Sequence, residues 1–197
     1  GAWMREAGRH PVSLRRNDGH GVVEDVTEEA GLAGSDHPTQ VAAWADIDQD
    51  GDLDVFCGGE TAVEPNATPH PCRLFRNQGD GTFVDIAAPA GVQNLRYTKG
   101  ATWGDFDNDR FPDLYVSNLQ SPNRLYRNQK DGTFTDVAVE KKVAGPMASF
   151  STWFFDFDQD GVLDIFVASY DTSVAGWVNG YLGKPNVAER SALYRGI

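Results

Sequence analysis

The sequence has little positive charge and no long apolar run. Its 197 residues include 17 lysines and arginines against 29 aspartates and glutamates, which gives a formal net charge of −12. Binding to nucleic acids depends on lysine and arginine side chains that neutralise phosphates, so this balance argues against a nucleic-acid partner. No apolar stretch approaches the roughly 18 residues that a membrane-spanning helix requires, so we expect no transmembrane segment in this chain.

Cysteine is also scarce, with two residues in the chain. Cys57 ends one predicted strand and Cys72 begins the next, so antiparallel pairing could bring their sulfurs within bridging distance. Two unpaired, buried thiols fit the sequence equally well. The cysteines therefore give only weak support for an oxidising compartment.

The acidic residues are concentrated in three nine-residue segments, which hold 13 of the 29. These segments, residues 46–54, 105–113 and 156–164, carry aspartate at positions one, three, five and nine. Like charges this close together repel, so the pattern calls for a counter-ion, and a high density of hard oxygen ligands favours Ca²⁺. A single such segment could be a chance acidic turn, but three in register make that interpretation very unlikely.

The spacing assigns a role to each position of these calcium loops. Side chains one, three, five and nine would turn inward, and position seven would add its backbone carbonyl. Gly51 and Gly161 at position six fit the sharp bend, whereas the middle loop has Arg110 there and Pro112 at position eight, so a left-handed bend would be strained in that loop. The predicted metal residues are Asp46, Asp48, Asp50, Asp52, Asp54, Asp105, Asp107, Asp109, Phe111, Asp113, Asp156, Asp158, Asp160, Val162 and Asp164.

The residues after each loop exclude an EF-hand. An EF-hand needs a glutamate at position twelve and helices on both sides. Position twelve is occupied by Cys57, Val116 and Val167, and each lies in a short β-branched and aromatic run typical of a buried strand. The loops are therefore predicted to join strand to strand.

A second repeated pattern predicts β-hairpins. Residues 13–26, 73–86 and 124–137 share alternating residues around an Asn-x-x-Asp-Gly turn or a close variant, and the pattern begins again at residues 192–195. Each interval between these patterns contains one acidic loop, and four short antiparallel strands per ~40–50 residues is typical of a β-propeller blade. The predicted fold class is all-β, with about three four-stranded antiparallel blades and a leading hairpin.

We expect an extension at residues 1–11, a hairpin at 12–27, and blades at about 40–88, 99–138 and 149–197. The aromatic residue before each loop, Trp44, Trp103 or Phe154, is predicted to pack between blades. Three blades cannot close a ring, because propellers typically have four to eight. We therefore expect the chain to be part of a larger or assembled propeller, with its open ends covered by another protein chain, a second copy, or polypeptide missing from this sequence.

The hairpin pattern, and the Ala-Gly-Leu and Ala-Gly-Val turns at residues 30–32 and 90–92, resemble the FG-GAP/VCBS calcium-binding repeat superfamily over residues 12–197. Within it, the sequence is similar to the ASPIC/UnbV, or cartilage acidic protein-like, group, and more distantly to the propellers of integrin α-chains. The resemblance implies a seven-bladed propeller, up to three Ca²⁺ in the loops between the first two strands of the blades, extracytoplasmic placement, and roles in adhesion or protein contact.

Two classes of function are compatible with these features. The first is a non-enzymatic, calcium-stabilised module for protein–protein contact, adhesion or scaffolding, placed in the periplasm, at the cell surface or in the medium, where calcium is abundant. The alternative is a propeller-based enzyme, a lyase or hydrolase with its site near the central channel. Catalysis needs a nucleophile beside a base or a pair of differently tuned acids, and the four histidines fall in separate predicted loops. They are His10, His20, His37 and His70.

Overall fold

The computed structural model describes residues 12–33, 38–61, 69–170, 174–184 and 189–196, so the extension predicted at residues 1–11 lies outside the described residues. Within these ranges the chain forms thirteen β-strands and one short helix, which confirms the all-β prediction. None of the helical structure described is long and apolar enough to cross a membrane. The elements are β1 (Arg15–Asn17), β2 (Val23–Asp25), β3 (Thr39–Ala45), β4 (Asp54–Gly59), β5 (Arg73–Asn77), β6 (Phe83–Asp85), β7 (Tyr97–Gly104), β8 (Asp113–Leu119), β9 (Arg124–Asn128), β10 (Phe134–Asp136), β11 (Ser149–Phe155), β12 (Asp164–Ser169), α1 (Val174–Tyr181) and β13 (Ala192–Tyr194).

The strands form four antiparallel sheets in simple up-and-down order. Strands β1 and β2 make a hairpin, β3 to β6 make blade 1, β7 to β10 make blade 2, and β11 to β13 make blade 3. Blade 3 contains three strands among the residues described, where the prediction was four. The repeated hairpin pattern becomes β1–β2, β5–β6 and β9–β10, because its Asp-Gly turn supplies the left-handed glycine that a tight turn needs.

The hydrophobic core lies between the blades. Phe56 on β4 faces blade 2 and packs with Leu114 and Tyr126, which face blade 1. Tyr115 and Ile165 occupy the corresponding cluster between blades 2 and 3. The second strands of blades 1 and 2 are therefore buried on both faces, unlike a strand with one face in water.

Two of the three aromatic residues before the loops pack between blades as predicted. The indole Nε1 of Trp103 donates a hydrogen bond to the carbonyl of Ala43 in blade 1 (3.0 Å). Phe154 lies directly on Gly104 of blade 2, where a Cβ would come within 2.6 Å of its ring. Trp44 remains 45% exposed and packs edge to face on Phe83 of its own blade, because the described residues before blade 1 form a two-stranded hairpin and not a complete blade.

Both cysteines are free and buried, so the unpaired alternative describes them. Cys57 and Cys72 belong to different hydrophobic clusters, on the two sides of blade 1.

One hydrogen bond recurs at the end of the second strand of every blade. In blade 1 the thiol of Cys72 accepts it from a backbone amide, and in blades 2 and 3 a polar side chain at the equivalent position accepts it. The pairs are Gly59 N to Cys72 Sγ (3.4 Å), Asn118 N to Asn123 Oδ1 (2.8 Å) and Ser169 N to Ser191 Oγ (3.0 Å).

Candidate metal centres

Each acidic segment forms the loop between the first two strands of a blade. Loop 1 (residues 46–54) joins β3 to β4, loop 2 (105–113) joins β7 to β8, and loop 3 (156–164) joins β11 to β12, and the ninth residue of each loop is also the first residue of the second strand. The three loops therefore occupy equivalent places in three successive blades. This confirms the prediction that the acidic loops join strand to strand.

The aspartate at position one organises the bend of each loop. Its two carboxylate oxygens accept hydrogen bonds from the amides of positions five and six, so the backbone folds around it. In loop 1 these bonds run from Asp50 N to Asp46 Oδ1 and from Gly51 N to Asp46 Oδ2, both 3.1 Å long. The equivalent pairs are Asp109 and Arg110 on Asp105 (2.9 and 2.7 Å), and Asp160 and Gly161 on Asp156 (3.1 and 2.9 Å).

The three loops follow the same backbone path although loop 2 lacks the glycine. Positions four and six have positive φ in every loop, and Arg110 adopts φ +77° where Gly51 has +96° and Gly161 has +85°. A non-glycine residue in this region costs about 1–2 kcal/mol. Loop 2 therefore makes the left-handed bend at the cost expected from its sequence.

The aspartate at position nine is buried and braces the loop against two strands. Its Oδ2 accepts the amide of position two and its Oδ1 accepts an amide at the end of the third strand. For Asp54 the donors are Ile47 (3.0 Å) and Asn77 (2.8 Å), for Asp113 Phe106 (3.1 Å) and Asn128 (2.8 Å), and for Asp164 Phe157 (2.9 Å) and Gly196 (2.8 Å). Burial raises the pKa of Asp54, and it raises the pKa of Asp113 to about 7, against the effect of these hydrogen bonds.

At position three of loops 1 and 2, the surroundings disfavour the charged form of the aspartate. Partial burial, followed by the charges of neighbouring aspartates, raises the pKa of Asp48 and of Asp107. In loop 3 the Oδ1 of Asp158 is buried and has no hydrogen-bond partner. A buried, unpaired carboxylate oxygen is costly unless a cation satisfies it.

Three carboxylates converge in each loop, with one oxygen from each within 4.8 Å of the others. The groups are Asp46, Asp48 and Asp50 in loop 1, Asp105, Asp107 and Asp113 in loop 2, and Asp156, Asp158 and Asp164 in loop 3. This all-oxygen donor set, with the unpaired oxygen of Asp158, fits a hard divalent cation such as Ca²⁺. The predicted roles of Asp52, Asp54, Asp109, Phe111, Asp160 and Val162 stay predictions, since these residues lie outside the three groups.

Two positively charged side chains lie beside the loops and were not predicted from the sequence. The ammonium of Lys130 lies 3.1 Å from Asp109 Oδ2, and the guanidinium of Arg195 lies 2.5 Å from Asp158 Oδ2. Asp109 is slightly desolvated, but the amide of Phe111 and the Lys130 ammonium lower its pKa overall. Arg195 had a visible signal, because the hairpin pattern places an arginine two residues after its leucine in every blade, whereas Lys130 had none.

Loops 1 and 2 are also joined to each other. The side-chain amide of Asn128 donates to the carbonyl of Ile47 (2.9 Å), and that of Gln49 donates to the carbonyl of Arg110 (2.6 Å). These bonds connect residues more than sixty positions apart in the chain, so the spacing of the motifs gave no indication of them.

Comparison with known proteins agrees with this geometry. The family model of the FG-GAP-like repeat matches residues 63–116 and 105–167, which together cover more than half of the chain and include loops 2 and 3. The chain belongs to the FG-GAP-like repeat family. Membership in this family accounts for the successive antiparallel sheets as blades of a β-propeller and confirms the resemblance drawn from the sequence.

Curated relatives of this FG-GAP-like chain include cartilage acidic protein 1 from three vertebrates. The chain is 36% identical over 118 residues to the Homo sapiens protein and 33% identical over 118 residues to the Xenopus tropicalis protein. It is 35% identical over 117 residues to the Mus musculus protein. Each match covers 57% of this chain but 16–17% of the relative, so the chain spans about a sixth of the length of the curated relatives it matches.

Proposed function

We propose that this FG-GAP-like chain is a non-enzymatic, calcium-stabilised propeller module that makes protein–protein contacts, for adhesion or scaffolding in an extracytoplasmic complex. The observation that carries the proposal is the convergence of three carboxylate oxygens in each of three equivalent loops. One such cluster would be an ordinary acidic turn. Three of them, built by the same hydrogen bonds in successive blades, are better explained by a common ligand.

Calcium would act on the fold through the aspartates of the loops. Each of the three groups named above would hold one ion, and its positive charge would offset the repulsion among the clustered carboxylates. Asp113 and Asp164 belong to these groups and also accept amides from the loop and from the end of the third strand. An ion bound there would therefore stabilise the connection among three parts of a blade.

The proposed contact surface is the outer face of blade 3, which we define as Trp153, Phe157, Phe166 and Leu193. Trp153 and Phe166 stack with ring centroids 4.7 Å apart, and Trp153, Leu193 and Phe157 are 45%, 45% and 44% exposed. Burial of apolar surface contributes roughly 25 cal/mol per Å², so such a face favours association. We propose that another protein chain, a second copy, or polypeptide outside this sequence covers it.

Two further observations support placement outside the cytoplasm and a non-catalytic role. The relatives are named for cartilage, a tissue rich in extracellular matrix. Calcium is abundant outside the cell, where weak sites with no switching helix pair would still be filled. Among the described residues, every aspartate with a raised pKa belongs to one of the three loops. Burial, followed by the charges of neighbouring aspartates, accounts for these raised pKa values, so they need no catalytic role.

Calcium binding is tested by isothermal titration calorimetry of the chelator-treated chain. We expect saturable binding in the micromolar-to-millimolar range. Asp48→Asn should remove the contribution of loop 1, while Asp25→Asn, which changes a carboxylate on β2 in the leading hairpin, should leave binding unchanged. Absence of binding at about 5–10 mM calcium, above the range of dissociation constants for extracellular modules, would contradict the proposal.

The contact surface is tested by light scattering and apolar dye binding. We expect the isolated chain to self-associate or to bind the dye, and Trp153→Lys on the outer face of blade 3 to reduce both. Val139→Lys is the matched control, because Val139 is exposed but lies outside that face. A compact monomer of 21.5 kDa that binds no dye would show that the face needs no partner.

A further inference from the structure

Loop 2 has a lysine beside it where blade 1 has glycine. Lys130, in the turn between β9 and β10, corresponds to Gly79 in the turn between β5 and β6. Both residues have positive φ, +65° for Lys130 and +74° for Gly79. The two turns therefore share a backbone conformation, and the difference between them is the side chain of Lys130.

That side chain reaches from the hairpin to loop 2. Its ammonium lies 3.1 Å from Asp109 Oδ2 and 5.5 Å from the centre of the Phe111 ring. Asp109 is at position five, which the spacing assigns to the metal. In loop 1 the equivalent residue, Asp50, converges with Asp46 and Asp48, whereas in loop 2 Asp109 lies outside the converging group.

We propose that Lys130 is a built-in counter-ion of loop 2, which competes with Ca²⁺ for Asp109 and makes loop 2 a weaker calcium site than loop 1. This inference rests on the proposed function, because it presupposes calcium in the loops. A fixed ammonium beside one ligand repels an incoming divalent cation, and the ion must displace it to gain that ligand. Loop 1 has no lysine or arginine within ion-pair distance of its aspartates among the residues described.

The equivalence of Lys130 and Gly79 allows a reciprocal test. A Cβ placed on Gly79 would lie 3.0 Å from Asp52 Oδ2 in loop 1. A lysine at position 79 would therefore start beside loop 1 as Lys130 does beside loop 2. The charge can in this way be removed from one loop and introduced at the other within the same chain.

The experiment is a CaCl₂ titration of the chelator-treated, isotope-labelled full chain, followed by the backbone amide resonances of residues 46–54 and 105–113 separately. We expect wild-type loop 1 to bind more tightly than loop 2. Lys130→Gln should tighten loop 2 about fivefold and leave loop 1 unchanged, the size expected when one like charge leaves a partly exposed site. Lys130→Arg keeps the charge and should stay close to wild type, and Gly79→Lys should weaken loop 1.

The outcomes separate this inference from the proposed function. If loop 1 binds calcium and Lys130→Gln leaves loop 2 unchanged, the counter-ion role is wrong while the calcium proposal stands. If Lys130→Arg tightens loop 2 as much as Lys130→Gln does, the charge is not responsible and the inference fails. If neither loop responds at millimolar calcium, both proposals fail. Dispersion of the amide spectrum checks that each variant is folded. If Gly79→Lys does not fold, the effect of Lys130→Gln on loop 2 still tests the counter-ion role.

Discussion

Blades 2 and 3 place similar residues at equivalent positions, yet their burial differs. Leu125 on β9 and Leu193 on β13 follow the same hairpin pattern, but Leu125 is fully buried and Leu193 is 45% exposed. At position two of the loops, Phe106 is 1% exposed and Phe157 is 44% exposed. The difference arises because blade 3 covers one face of blade 2, while no described residue covers the outer face of blade 3 in the same way. An identical local signal can therefore mark a core residue or a surface residue.

The largest expected effect compares the two leucines. Leu125→Ala should lower the free energy of unfolding by about 2–5 kcal/mol, because it removes buried methyl groups and leaves a cavity. Leu193→Ala should cost under about 1 kcal/mol, because its side chain is half exposed. Urea denaturation of the two variants in calcium measures both values. Equal losses would mean that the outer face of blade 3 is covered in solution.

Removal of calcium is expected to come next in size. A ligand present at 100 times its dissociation constant stabilises the folded state by about 2.7 kcal/mol, which for a chain of this length corresponds to roughly 5–10 °C in melting temperature. Chelation should therefore lower the melting temperature by this order, with loosening in every blade because each has a loop. Thermal unfolding with and without chelator measures it, and an unchanged melting temperature would show that the loops do not need metal to stabilise the fold.

The buried aspartates predict a pH dependence in the calcium-free chain. Burial raises the pKa of Asp113 to about 7, so the folded state holds this proton more tightly than the unfolded chain does. The resulting stabilisation is complete below the unfolded pKa near 3.8 and is lost as the pH rises through about 7. Calcium-free protein should therefore be more stable at pH 5 than at pH 7, a trend that calcium should oppose.

Urea denaturation at pH 5 and pH 7 in chelator tests this trend. Asp113→Asn should be less stable overall, since an amide cannot accept both backbone hydrogen bonds, but its stability should change less between the two pH values. A wild-type chain that gains stability from pH 5 to pH 7 without calcium would contradict the buried, protonated state of Asp113.

The smallest effect compares the bends of loops 1 and 2. Arg110→Gly should stabilise the chain by about 0.5–1 kcal/mol, because it relieves the left-handed conformation at the cost of a more flexible unfolded chain. Gly51→Ala should destabilise by a similar amount, since a Cβ meets no neighbour there and only the conformation is unfavourable. Thermal unfolding of both variants in chelator measures the backbone effect without the metal.

The local structure of the blades was predictable because each element has a short-range cause. The nine-residue acidic pattern predicted a strand-to-strand loop, and the Asp-Gly turns predicted hairpins such as β9–β10. The packing role of Trp103 and Phe154 also followed from their repeated position. The same reasoning was wrong for Trp44, which holds the equivalent position in the repeat but has a two-stranded hairpin before its blade among the described residues.

The sequence by itself determined the repeat, the antiparallel blades and the acidic loops, because these depend on residues within a few positions of one another. The tertiary structure alone decided which apolar residues are covered, as at Leu125 and Leu193, and which cations reach the loops, as at Lys130. It also decided that Asn128 and Gln49 join loop 1 to loop 2. The physical reason is that burial and charge pairing depend on distance in space, which the order of residues does not specify between one blade and the next.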